Sequence, residues 1–119
     1  MMSDIAKLSI SSSEDVELAH VAGEIDASNA DSLSEQLLDA MPNQARALVI
    51  DLTDTSYIDS SGISLIFDAA ARLRTRRQTL RLVVTPGSFV AEVLAAVSLA
   101  DDVPIDPGMP AALEALRPS

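Results

Sequence analysis

The stretch from Ala47 to Arg74, ALVIDLTDTSYIDSSGISLIFDAAARLR, constrains the fold more than any other part of the chain. Ala47 to Leu52 is a short apolar, β-branched run that carries Asp51 near its end, the pattern of a buried strand. Thr53 to Tyr57 is polar and rich in side chains that bond their own backbone, which predicts a loop. Asp59-Ser60-Ser61-Gly62 then leads into helical periodicity, with Ile63, Ile66, Phe67, Ala70 and Leu73 forming one stripe to about Thr75. Asp59 or Ser60 suits the N-cap, because a short side-chain oxygen there can accept a backbone N–H of the first turn. The stretch therefore predicts a strand, a loop and a helix whose first turn presents two hydroxyls.

Composition removes several classes of function. The 119 residues suit one domain over 1–119, and nearly half are apolar, which favours a compact α/β domain over a disordered chain. There is no Cys and one His, so disulfide frameworks, thiolate zinc sites and multi-histidine metal sites are excluded, and no cofactor motif is present. The net charge of −10 argues against nucleic acid and anionic membrane surfaces as partners. The opening MMSDIAKLSI lacks a basic region followed by an apolar one, and no apolar run is long enough to span a bilayer. The expected location is cytoplasmic. Five of the eight basic residues, Arg72, Arg74, Arg76, Arg77 and Arg81, fall close together; a solvated helix end explains them, and a docking patch is the alternative.

Around the central stretch, residues 4–10 and 15–22 predict two strands about a turn at Ser11-Ser12-Ser13-Glu14. Val16, Leu18 and His20 share one face of the second strand; Glu17, Ala19 and Val21 share the other. His20 reads as a packed or hydrogen-bonded sheet residue. Gly23-Glu24-Ile25-Asp26 is expected to break the strand, and Asp26 or Ser28 to cap a helix lined by Ala30, Leu33, Leu37, Leu38 and Met41. Leu80 to Val84 predicts a further buried strand. Pro86-Gly87 opens a helix with Phe89, Val90, Val93, Leu94 and Val97 expected inward. Asp101 to Ile105 predicts a turn with room for a short edge strand, and Gly108 to Leu116 a last helix bearing Met109, Ala112, Leu113 and Leu116. The order β-β-α-β-α-β-α-(β)-α predicts a mixed sheet that buries amphipathic helices.

The serine pair has a physical logic as a switch. A phosphoserine in the first turn of a helix faces backbone N–H groups and the positive end of the dipole, so the fold tolerates it. About 1.5 to 2 new negative charges would arise beside Asp59 and oppose a docked partner. A plain cap with a spare serine is the structural alternative.

DLTDTSYIDSSGISLI, preceded by Gly23-Glu24-Ile25-Asp26, resembles the STAS domain, and more narrowly the bacterial anti-sigma factor antagonists. The resemblance covers almost the whole chain and implies the STAS fold, a central mixed β-sheet with packed amphipathic helices. It further implies a non-enzymatic partner-switching protein that binds an anti-sigma factor, itself a serine kinase, when unphosphorylated. A serine phosphatase would reverse the modification. By position the implied phosphoacceptor is Ser61, with Ser60 as alternative. The implied partner surface comprises Asp26, the exposed loop Asp54, Thr55, Ser56 and Tyr57, and then Asp59, Ser60, Ser61, Gly62 and Ser64, with Ile63 divided between interface and core. The Gly62-Ile63-Ser64 sequence departs from the Gly-Leu-Gly of many relatives, and the Ser64 side chain narrows the space for a docking helix. STAS domains also serve as constitutive, non-phosphorylated binding modules, which is the second functional reading.

Two other classes fit less well. An aspartyl-phosphate receiver would use Asp51 but needs an acidic pair after the first strand and a lysine on a later strand; the only lysine is Lys7. A serine hydrolase would need a G-x-S-x-G elbow, which is absent.

Overall fold

The computed structural model of the protein describes residues 6–118, so the expected start of the first strand at residues 4 and 5 lies outside the described residues. Strand β1 (Ala6–Ser13) pairs antiparallel with β2 (Val16–Ile25), in register from Ala6 opposite Gly23 to Ser13 opposite Val16. The turn falls at Glu14-Asp15, later than the serine run suggested, and Glu14 adopts φ 56°. The serines stay in the ladder because Ser12 Oγ donates to Glu17 Oε2 at 2.6 Å, which satisfies a carboxylate that is itself buried.

Helix α1 (Ala30–Asp39), strand β3 (Ala47–Asp51), strand β4 (Thr55–Ile58) and helix α2 (Ser60–Thr75) follow. They precede β5 (Thr79–Val83), α3 (Phe89–Ala96), a single 3-10 turn at Leu99–Asp101, β6 (Ile105–Asp106) and α4 (Met109–Ala115). The sheet order is β1-β2-β3-β5-β6; every pairing except β1 with β2 is parallel.

Alternate residues of the same strands feed two cores, as the two-residue period of a strand requires. Ala19, Val21, Leu48, Ile50, Leu80 and Leu82 share the larger core with α1, α2 and α3. Val16, Ala47, Val49 and Val83 face the other way and pack with Ala112 of α4, flanked by Met109, Leu113 and Leu116. The sheet is therefore covered on both faces, in accord with the near-continuous apolar runs of β3 and β5. At the far edge β6 is held by Arg81, which donates to Asp106 through Nε at 2.8 Å and Nη2 at 3.1 Å. The hydrogen bond to Asp106 raises the Arg81 pKa above its ordinary value, against the opposing effect of burial.

Several expectations need correction. The segment 53–57 is not a plain loop, since Thr55–Ile58 forms β4 and pairs with the end of β2. Nor does Gly23-Glu24-Ile25 break β2; the strand continues to Ile25 and changes partner from β3 to β4 through a register shift between Gly23 and Glu24. Gly23 has φ 105°, a conformation that a side chain would strain. The residue before α1 is Asn29 rather than Asp26 or Ser28, and its side chain makes no cap bond. On α2 the buried positions are Gly62, Leu65, Ile66, Ala69 and Leu73, so the inward stripe is rotated and Ile63, Phe67 and Ala70 are only half-buried. On α3 only Val90 and Leu94 are buried, while Phe89 and Val97 are exposed. That helix is apolar on most of its circumference, so its sequence does not single out an inward face.

Candidate functional site

The site forms where β2 and β4 deliver the chain to the first turns of α1 and α2. After β3, Asp51 Oδ1 accepts from Thr53 N at 3.0 Å and Thr53 Oγ1 at 2.8 Å, turning the chain out of the strand. Thr55 then returns inward. Its Oγ1 donates to the Val21 carbonyl at 2.8 Å, and the residue is only 6% exposed. Thr55 thus anchors β4 to β2 and is unavailable to a partner, contrary to the exposed position expected for it. Asp54 remains exposed and bonds His20 Nε2 at 2.7 Å, which accounts for His20 as a hydrogen-bonded sheet residue. Ser56 and Tyr57 are exposed.

Asp59, extended at φ −121°, caps α2, and its Oδ1 accepts from Ser61 N at 2.9 Å and Gly62 N at 3.4 Å. The Asp59 carbonyl accepts from Ile63 N at 3.0 Å. Of the donors expected to be open to a phosphate in this turn, those of Ser61, Gly62 and Ile63 are therefore already bonded to Asp59. Gly62 is buried under the end of β2: a Cβ there would collide with Ile58 and approach Ile25 Cγ2 to 3.0 Å. Gly62 acts by letting the helix start sit against β2 and β4, and its burial removes it from the expected contact surface.

Asp26 lies next to Ile25, and its Oδ1 accepts from Ser28 N at 2.9 Å and Ser28 Oγ at 2.6 Å. Its carbonyl accepts from Asn29 N and Ala30 N, while Asn29 Oδ1 accepts from Asp26 N at 3.1 Å. This closed set of bonds fixes the entry to α1. Between α1 and α2 runs an open groove of about 460 Å³, lined on one side by Ala30, Asp31 and Ser34 and on the other by Ser61, Ser64 and Asp68. Ser61 is half-buried at its wall; Ser60, the residue before it, is exposed. Asp31, Ser34 and Asp68 were not among the sequence candidates, although Asp31 and Ser34 stand on the groove side of α1 at i, i+3 spacing.

The arginine run lies at the opposite end of α2. Arg72 pairs with Asp68 at 3.1 Å, Arg81 belongs to the β6 edge, and Arg74, Arg76 and Arg77 are exposed. Among the described residues no group of three or more His, Cys, Asp or Glu side chains is arranged to hold a metal ion. No helix of the described residues is long and apolar enough to cross a membrane.

An antiparallel hairpin leading into a parallel sheet, with a carboxylate-capped serine pair at the start of the helix after β4, defines a small α/β domain. The chain belongs to the STAS domain family, whose model matches residues 7–112. It is 42% identical over 62 residues to an anti-sigma-B factor antagonist of Listeria monocytogenes, a match covering 52% of this chain and 54% of that protein. The match therefore spans about half the length of the curated relative. In structure the chain is similar to an anti-sigma factor antagonist from Mycobacterium paratuberculosis, at a TM-score of 0.85 and 22% identity over 95% of each chain. It is also similar to the Bacillus cell fate determinant SpoIIAA in its phosphorylated form, at a TM-score of 0.69 and 16% identity over 93% of this chain and 100% of that one. At such identities the structural likeness speaks for the fold.

Proposed function

We propose that the protein is an anti-sigma factor antagonist. Unphosphorylated, it binds an anti-sigma factor that is also a serine kinase and so releases a sigma factor; phosphorylated at Ser61, it lets that partner go. It works by occupying a surface rather than by catalysis, in the cytoplasm, and a serine phosphatase resets it. The observation that carries this reading is the position of Ser61, on a capped and rigid helix start at the wall of the α1–α2 groove.

The electrostatics of that wall supply the switch. A phosphate on Ser61 adds about 1.5 to 2 negative charges. The N–H groups of Ser61 and Gly62 are already bonded to Asp59, and Asp31 and Asp68 line the same groove. The new charge therefore finds the Asp31 carboxylate in the same groove and few unoccupied donors, while Asp68 is offset by its Arg72 partner at 3.1 Å. Repulsion of this kind acts on a partner that must desolvate the groove and leaves the packed core of α2 untouched.

The test is phosphopeptide mapping of the protein from its host, joined to binding titrations with the host's anti-sigma kinases. Ser61→Ala is expected to bind and resist phosphorylation, and Ser61→Asp to bind more weakly by about 1–3 kcal/mol. Full labelling of Ser61→Ala would move the acceptor to Ser60. Absence of any phosphate together with equal binding by Ser61→Asp would leave a constitutive binding module.

A further inference from the structure

Two of the chain's three aromatic residues are exposed, and they touch each other. Tyr57 on β4 and Phe89 at the start of α3 stack with ring centroids 5.8 Å apart and planes 11° from parallel. Tyr57 is 39% and Phe89 50% exposed. Down α3 at i+4 and i+8 come the half-buried Val93 and the 43%-exposed Val97, which extend the pair into an apolar stripe. A contiguous patch of this kind marks an interaction surface, whereas single exposed apolar side chains do not.

The patch is joined to the Ser61 turn by a short stretch of chain. Tyr57 leads through Ile58 directly into the Asp59 cap, and Ser61 follows two residues later. Its surroundings are acidic: Glu24 is the β2 neighbour of Tyr57, Asp59 lies two residues beyond Tyr57, and Glu92 stands one helical turn from Phe89. No Lys or Arg occurs in residues 20–28, 53–61 or 85–93. A second copy of this chain would bring the same carboxylates and a net charge of −10 against its twin.

We infer that the Tyr57–Phe89 stack, with Val93 and Val97 below it, is a second contact region for the partner that the Ser61 surface engages, and that the partner meets it with an apolar cleft bordered by lysine or arginine. This rests on the function proposed above. Both rings stand on hydrogen-bonded elements, since β4 is paired to β2 and α3 is capped by Ser88 Oγ, which accepts from Ala91 N at 3.1 Å. Rigid aromatic anchors of this kind lose little freedom on binding and carry a large share of interface energy. The stack supplies affinity, and the groove beside it supplies the response to phosphate.

The test titrates purified anti-sigma kinases of the host against wild type, Phe89→Ala, Tyr57→Ala, Glu92→Lys and Ser61→Asp, with circular dichroism to confirm folding. Phe89→Ala and Tyr57→Ala are each expected to weaken binding by about 30-fold or more. Glu92→Lys is expected to slow association and flatten its salt dependence. Unchanged affinity in both aromatic variants, with Ser61→Asp still weakened, would overturn this inference and leave the proposed function standing. Binding of no kinase by wild type would overturn both. A wild-type dimer that Phe89→Ala turns into monomers would assign the patch to a second copy and overturn the partner named here.

Discussion

The two ends of α2 are built on opposite principles. At its start the helix is closed by an acidic side chain, carries hydroxyls in its first turn and presses Gly62 against β2 and β4. At its finish the backbone closes on itself. Gln78 N donates to Leu73 O at 2.9 Å and Arg77 N to Arg74 O at 3.0 Å, with Arg77 left-handed at φ 61°. This is a Schellman closure with arginine at the position that glycine usually fills. Gln78, 4% exposed, then ties the helix end to the preceding loop, its Nε2 donating to the carbonyls of Pro42 at 3.0 Å and Ala45 at 2.7 Å. One end presents chemistry outward, while the other commits the Gln78 amide nitrogen to the fold and leaves its buried Oε1 without a partner. Proximity to a helix terminus alone does not make a functional surface; what matters is which groups remain uncommitted there.

Substitutions can break this contrast or sharpen it. Gln78→Leu fills the same space but leaves the Ala45 carbonyl without its partner, while the Pro42 carbonyl keeps the Ala45 N–H; chemical denaturation should show a loss of about 1–3 kcal/mol with partner binding by the folded fraction unchanged. Gly62→Ala should cost about 1–3 kcal/mol, because Ile58 and Ile25 must give way to the added methyl; here binding should weaken too, since the helix start itself shifts. Asp59→Ala removes the cap and should cost about 1 kcal/mol in the same assay. It should also release the Ser61 and Gly62 N–H groups, so that a phosphate at Ser61 becomes less disruptive to binding. The smallest change has the opposite sign: Arg77→Gly should raise stability by about 0.5–1 kcal/mol through relief of the left-handed backbone, with no effect on binding. Loss of binding in Gln78→Leu or Arg77→Gly would mean that the arginine end also docks a partner.

The same contrast explains what the sequence made legible. The run from Ser60 to Thr75 reads correctly as the helix, with Asp59 as its cap, because capping chemistry and periodicity are local. Strand β3 is legible for the same reason, the first four residues of its Ala47–Asp51 run being apolar and buried. Strand β4 is not, since a four-residue strand with Thr55 and Ser56 in it is made by its pairing with β2, where Gly23 faces Thr55 and Ile25 faces Ile58 from far earlier in the chain. Thr55 looks like a loop residue until the Val21 carbonyl that it satisfies is in view. The α1–α2 groove and the Tyr57–Phe89 stack are likewise tertiary, and the sequence of α3, apolar except for Glu92, does not reveal that Phe89 is exposed.

The change of partner along β2 has a mechanical consequence. Because β4 is hydrogen-bonded to β2 and not to β3, the segment that carries Tyr57 and Asp59 hangs from a strand gripped on its other side by β1 over eight registered pairs. A pull on the docking surface is passed into β2 along its length and shared by β1 and β3 as shear, with many bonds loaded together. The N-terminal hairpin is thus the keel of this end of the molecule, and the docking surface proposed above is seated on the sheet rather than on a free loop.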